Sequence, residues 1–260
     1  MKYIFFLLIT AITFSCCSMT EKTEKWVFIL AGQSNMAGRG VVEPQDTITS
    51  KAIYTLNKDL QLELAKEPLH FYESKLKGVG PGFAFAKELE KHIPESVEIV
   101  LVPCALGGSS INQWLGDSLH RGVHLYSNFK TRLDTAKKLG SVKAILWLQG
   151  ESDANTRDLP MYEMKLRDLF QRFRKDAGNE TMPILAGELG TYSEPESRNH
   201  NWKLLNDILN QEANTDPNLY VISSEGLTSN PDHIHYNSAS QRILGKRYAL
   251  KYLDEIYKKH

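Results

Sequence analysis

Trp26-Val27-Phe28-Ile29-Leu30-Ala31-Gly32-Gln33-Ser34-Asn35-Met36-Ala37-Gly38 is the stretch on which the reading of this chain turns. Residues 26–30 form a short apolar run with the length and composition of a buried strand. The chain then enters a tight polar turn with Ser34 at its apex. Such a turn lifts a hydroxyl out of the end of a sheet, and backbone N–H groups at the start of the following helix face whatever approaches it. Taken alone, Gly-Gln-Ser-Asn is equally an ordinary polar turn, so its weight depends on what the rest of the chain supplies.

The same apolar texture recurs at Val97–Pro103, Val142–Leu148, Pro183–Gly187 and Leu219–Ser223. Helical spacing appears over Gly82–Lys91, Tyr126–Leu139, Met161–Asp176, Arg198–Glu212 and Ser238–Tyr257. Apolar strands alternating with amphipathic helices predict a mostly parallel central sheet covered on both faces, a three-layer α/β/α sandwich. It reads as one domain over residues 26–260, without an internal repeat. In such a sheet, sites form outside the carboxyl ends of the strands. Residues 39–80 are weakly periodic and carry no usable motif.

At 260 residues, with 42% hydrophobic and 24% charged side chains, the chain can bury a full core without staples. Lys+Arg and Asp+Glu are both 31, a balance that gives no reason to expect a nucleic-acid partner. Lys2 is followed by the apolar run Tyr3–Ile12, too short to span a bilayer comfortably and laid out like an export signal over residues 1–17. Small residues ahead of Cys16 and Cys17 resemble a bacterial lipoprotein processing site, with either cysteine as the lipidated terminus; Phe14 departs from that pattern, and a plain secretory signal is the alternative. Residues 18–25 are polar and aperiodic, a short tether. These features predict an exported protein of the periplasm or cell surface, meeting the membrane only through its N-terminal anchor. Cys104 is the one cysteine beyond the leader, which excludes an intramolecular disulfide framework. Oligomeric state is not legible.

Three further segments carry chemistry. The strand at Val97–Pro103 runs into Cys104-Ala105-Leu106-Gly107-Gly108-Ser109, where glycines permit close backbone approach, so the N–H of Gly107 or Gly108 can face an oxyanion. The strand at Val142–Leu148 runs into Gln149-Gly150-Glu151-Ser152-Asp153, which offers an amide donor and a carboxylate at the same rim; Ser152 or Asp153 equally serves as a helix cap. Asp232-His233-Ile234-His235 precedes the last helix. A carboxylate three residues ahead of a histidine can accept the Nδ1–H, leaving Nε2 to face a serine brought from elsewhere. His233 is the competing candidate.

Together, Gly32–Met36, Pro103–Gly108, Gln149–Ser152 and Asp232–His235 resemble, in order, the four blocks of the SGNH (GDSL-like) hydrolase superfamily. Within it the chain is similar to the group containing carbohydrate esterase family 6 and the sialate O-acetylesterases. The resemblance implies a flavodoxin-like sandwich and a serine esterase that removes acetyl groups from O-acetylated sugars. It implies Ser34 as nucleophile, His235 as base and then acid, and Asp232 as the orienting acid, with Glu151 as alternative or second acid. The Ser34 N–H, the Gly108 N–H and the Gln149 side chain would hold the oxyanion, with Gly107 as alternative. Gln33 and Asn35 stand beside the nucleophile as candidate substrate contacts. Trp114 reads either as a sugar-facing ring or as core. No cofactor is implied, and the remaining histidines show no metal-ligand spacing. Acetylated xylan, other plant glycans and O-acetylated sialic acid are the substrates implied. The rival readings are a lipolytic GDSL esterase or thioesterase, and a non-catalytic glycan-binding protein.

Overall fold

A computed structural model describes residues 24–259. The expected leader, Cys16, Cys17 and the tether up to residue 23 lie outside the described residues. The sheet begins at Glu24, so Glu24 and Lys25 belong to the first strand and not to the tether: they register with Val97 and Glu98, and Lys25 pairs with the Glu98 carboxylate.

Strand β1 (Glu24–Gly32) sends Val27, Ile29 and Ala31 into one core and Trp26, Phe28 and Leu30 into the other. This is the period-2 alternation of a strand buried on both faces. Parallel neighbours flank it, β4 (Val97–Pro103) on one side and β7 (Ser141–Leu148) on the other, and the sheet continues beyond β7 through β8 (Ile184–Gly187) and β9 (Leu219–Ile222). The order β4-β1-β7-β8-β9 places a topological switch point at β1, where the chain winds outward in both directions.

Helices α3 (Ile111–Leu115), α4 (Leu125–Leu139), α5 (Tyr162–Ala177) and α6 (Glu196–Ala213) cover one face, through Trp114, Phe129, Phe173 and Trp202 among others. Helices α2 (Pro81–Leu89) and α7 (Ser238–Glu255) cover the second face with Phe85, Leu89, Tyr248 and Tyr252. The three-layer α/β/α arrangement agrees with the sequence expectation, and element ends shift by one or two residues.

Residues 39–80 hold the main addition. Strand β2 (Ile53–Leu56) pairs parallel to β4, and β3 (Leu62–Leu64) pairs antiparallel to β2 at the sheet edge. Strands of four and three residues are too short to register as periodic. A turn joins them in which the Asn57 side chain accepts the N–H groups of Asp59 and Gln61, and Arg132 of α4 donates to the Leu56 and Asn57 carbonyls. The excursion leaves and rejoins the body at one rung, where Gly40 and Val79 exchange hydrogen bonds of 3.1 and 2.8 Å. A two-stranded hairpin, β5 (Leu119–His120) with β6 (Val123–His124), stands between α3 and α4.

Candidate active site

The carboxyl ends of β1, β4 and β7 lie side by side, and the chain must turn sharply at Gly32. Its φ is +133°, and a Cβ there would stand 2.1 Å from the Leu148 carbonyl oxygen, so this corner accepts no side chain. The single-turn helix α1 (Ser34–Ala37) follows at once and presents Ser34, 5% exposed, at its first position.

His235 arrives from the loop ahead of α7. Asp232 Oδ1 accepts the backbone N–H of Ile234 and of His235, both at 2.9 Å, an Asx-type turn that curls the loop back on its own carboxylate. Its other oxygen, Oδ2, lies 2.7 Å from His235 Nδ1, and His235 Nε2 lies 2.9 Å from Ser34 Oγ. With Nδ1–H donating to the carboxylate, Nε2 is left to accept the Ser34 hydroxyl. Burial by itself would raise the Asp232 carboxyl; the His235 N–H, the His235 ring and the Ile234 N–H outweigh it and hold Asp232 below the usual carboxylate range. His233 turns away, with φ +55° and its Nδ1 3.7 Å from Glu194 Oε1.

Glu151 lies in the same cleft without bonding the imidazole. Its Oε1 accepts the Asn35 amide at 2.6 Å, and its buried Oε2 has no partner among the described residues. Burial pushes this carboxyl above its ordinary range, against the pull of its own N–H, the Asn35 amide and His235. The cleft is open, about 290 Å³ in volume, and Ser34, His235, Glu151, Gly107 and Gly108 line it together with Gln33, Arg39, Leu76, Arg121, Ser152 and Ile234. Burial lowers the Arg39 guanidinium to about 10, opposed by the charge of Glu151.

Several expected site residues sit elsewhere. Gln149 is fully buried behind the cleft; its amide nitrogen donates to Ser109 O at 3.1 Å, to Gln33 Oε1 at 3.2 Å and to Asp153, while its Oε1 accepts the Tyr162 hydroxyl at 3.0 Å. Both N–H directions are taken, so this side chain offers no donor to an oxyanion. The Gly107 N–H is likewise occupied, by Glu73 at 2.8 Å. The N–H groups of Ser34 and Gly108 make no hydrogen bond among the described residues. Asn35 is buried and fully committed, donating to Glu151 and accepting the Tyr236 N–H at 3.0 Å. Gln33 reaches the cleft but is 3% exposed, and its Oε1 faces Gln149 and the Gly150 and Ser152 N–H groups. Trp114 is core and not rim: its indole N–H donates to Ser109 Oγ at 3.0 Å and its ring meets Trp147 edge-on.

Sequence reading passed over Arg39, Glu73, Leu76 and Arg121. Arg39 directly follows the Gly32–Gly38 turn and Arg121 precedes a glycine, so those two left a local trace in the sequence; in the structure Arg121 and Gly122 both have positive φ. Glu73 left none. Among the described residues no group of three or more His, Cys, Asp or Glu side chains is placed to hold a metal ion.

Comparison with known proteins places the chain in a family. A family model described as "Carbohydrate esterase, sialic acid-specific acetylesterase" matches residues 24–254. A protein of Arabidopsis thaliana described as a probable carbohydrate esterase is 33% identical over 252 residues, which span 88% of this chain and 91% of that protein. An X-ray structure of an Arabidopsis thaliana protein superposes with a TM-score of 0.76 at 32% identity, over 88% of this chain and 97% of that one. The crystal structure of NanS superposes with a TM-score of 0.75 at 19% identity, over 92% and 99%, a likeness of fold. The family match over nearly the whole described body, with a relative one-third identical across most of both chains, leads to one conclusion: the chain belongs to the carbohydrate esterases of the sialic acid-specific acetylesterase family.

Proposed function

We propose that the protein removes acetyl groups from O-acetylated carbohydrates through a covalent acyl-serine, with Ser34, His235 and Asp232 as the triad. The observation that carries this is the continuous chain from Ser34 Oγ to His235 Nε2 at 2.9 Å and from His235 Nδ1 to Asp232 Oδ2 at 2.7 Å. His235 takes the hydroxyl proton as Ser34 Oγ attacks the ester carbonyl. The tetrahedral oxyanion is bound by the Ser34 and Gly108 N–H groups, and His235 then gives its proton to the departing sugar oxygen. Water, deprotonated by His235, releases acetate and restores Ser34. Each backbone donor of this kind supplies roughly a hundredfold to a thousandfold in turnover.

The family description supports an acetylated sugar as substrate. The cleft supports a short acyl group on a polar partner, since Arg39, Arg121, Ser152 and Glu151 line it and Leu76 and Ile234 supply its apolar side chains. The residues ahead of Cys16 and Cys17 support an envelope location. Acetate release from acetylated xylan, pectin and O-acetylated sialic acid ranks the substrates, and hydrolysis of p-nitrophenyl acetate against octanoate by wild type and Ser34→Ala tests the chemistry. The expected result is preference for acetate and loss of at least about a thousandfold in Ser34→Ala. Equal rates on the octanoate would favour a lipolytic esterase, absence of turnover a glycan-binding protein, and retained turnover in Ser34→Ala would exclude the triad.

A further inference from the structure

The excursion at residues 39–80 supplies one side chain that the reaction above leaves unused. Glu73 lies behind the lining residues Arg39, Gly107 and Arg121, its side chain 8% exposed. Its Oε2 accepts the Gly107 N–H at 2.8 Å and Arg39 Nη2 at 2.5 Å, while Oε1 accepts Arg121 Nη1. Three separate pieces of chain meet on this carboxylate: the residue after the nucleophile turn, the loop after β4, and the tip of the β5–β6 hairpin. The two guanidinium groups compensate its charge, as a buried carboxylate requires. The third donor is a neutral backbone N–H, and it belongs to the immediate neighbour of Gly108.

On the far side of the same residue, the Gly107 carbonyl lies 2.9 Å from His120 Nε2, and His120 Nδ1 lies 3.2 Å from the Gln113 amide nitrogen. Nδ1 accepts that amide, so the proton is on Nε2 and His120 donates to the carbonyl. The Gly107–Gly108 peptide is planar and trans, so its C=O and N–H point in opposite directions. A carbonyl fixed on His120 therefore sends the Gly108 N–H the other way. Glu73 holds the preceding N–H, which keeps the plane from rotating about Gly107. The clamp has no space for a side chain: a Cβ at Gly107 would lie 2.2 Å from Arg39 Nη2 and 2.6 Å from Glu73 Oε2.

We propose that Glu73 and His120 are positioning residues that grip Gly107 from both sides and so aim the Gly108 N–H at the oxyanion. The proposal rests on the esterase reading of Ser34 given above. A donor held in advance stabilises the transition state more than the bound ester, so the expected signature is a fall in kcat with little change in KM.

The test compares wild type, Glu73→Ala, Glu73→Gln, His120→Ala and Ser34→Ala on p-nitrophenyl acetate. Reactive sites are counted by stoichiometric phosphorylation with diethyl p-nitrophenyl phosphate, which corrects for any misfolded fraction. Expected is a loss of about 10- to 100-fold in kcat per titrated site in both alanine variants, a misaimed donor costing less than a deleted one, with KM within about threefold. Glu73→Gln, which keeps a carbonyl oxygen for the Gly107 N–H, should recover most of that loss. A kcat per site within twofold of wild type in both alanine variants would overturn the proposal, and so would equal losses in Glu73→Gln and Glu73→Ala. Turnover surviving in Ser34→Ala would instead overturn the esterase reading beneath it. Should Glu73→Ala yield no titratable sites, His120→Ala and Glu73→Gln carry the comparison.

Discussion

Asp232 does two things with its two oxygens: one shapes the loop and the other orients the imidazole. Asn at this position can keep an acceptor for the backbone, but it turns an N–H toward Nδ1, drives the proton to Nε2 and removes the acceptor that faces Ser34. Asp232→Asn is therefore expected to lower kcat by up to about 10⁴-fold, as such a tautomer change does in serine proteases. Glu151→Gln retains an oxygen for the Asn35 amide at 2.6 Å and should lose less than about tenfold; steady-state kinetics on one acetyl ester compares the two, and collapse of the second alone would transfer the orienting role to Glu151. Asp232 and His235 stood out because they are three residues apart, and Ser34 because it sits at the apex of a strand-end turn; the meeting of Ser34 and His235 across 201 residues was implied only by the resemblance of the four blocks. Gln149 and Trp114 were not, since the direction of a side chain at a strand end depends on what fills the space behind it: here Tyr162 and Asp153 for the amide, and Trp147 for the indole. Glu73 was invisible, because a contact across 34 residues with a backbone N–H leaves no period.

At the scale of elements, β1, β4, β7 and the long helices were readable from apolar runs and 3.6-residue spacing, while β2 and β3 fell below the length at which alternation shows. The start of α7 matters to both fold and site, since it begins three residues after His235. Asn237 caps it by accepting the Ser240 N–H at 2.9 Å and also donates to Thr228 Oγ1 at 2.7 Å. Asn237→Ala should cost about 1 kcal/mol, a fall in Tm of about 2–4 °C for a domain of this size. Thermal melts followed by circular dichroism check it, and an unchanged Tm would show that the cap contributes nothing net.

For the molecule as a whole, one buried acid ties stability to pH. Glu67 is 3% exposed and accepts the N–H groups of Leu69 at 3.0 Å and Gly80 at 3.3 Å. Burial raises its carboxyl from 4.5 to about 8, against those two bonds. Between these values the folded chain keeps a proton that the unfolded chain has released, so this group's contribution is full below about pH 4.5 and declines as pH rises toward 8. Glu67→Gln, which resembles the neutral acid, removes the dependence; its Tm relative to wild type should climb steadily from pH 5 to pH 8, and a constant difference would refute the linkage. The rung at Gly40 and Val79 has a consequence of another kind. Because the excursion starts and finishes at one point, lengthening it at the exposed turn between β2 and β3 costs only about 0.6 kcal/mol per doubling of loop length, whereas its first residues are tied to α7, Ser238 Oγ donating to the Val41 carbonyl and Arg242 pairing with Asp46. The outer part of the segment can thus change in length and sequence apart from Ser34 and His235, provided the chain still sets a carboxylate against Gly107.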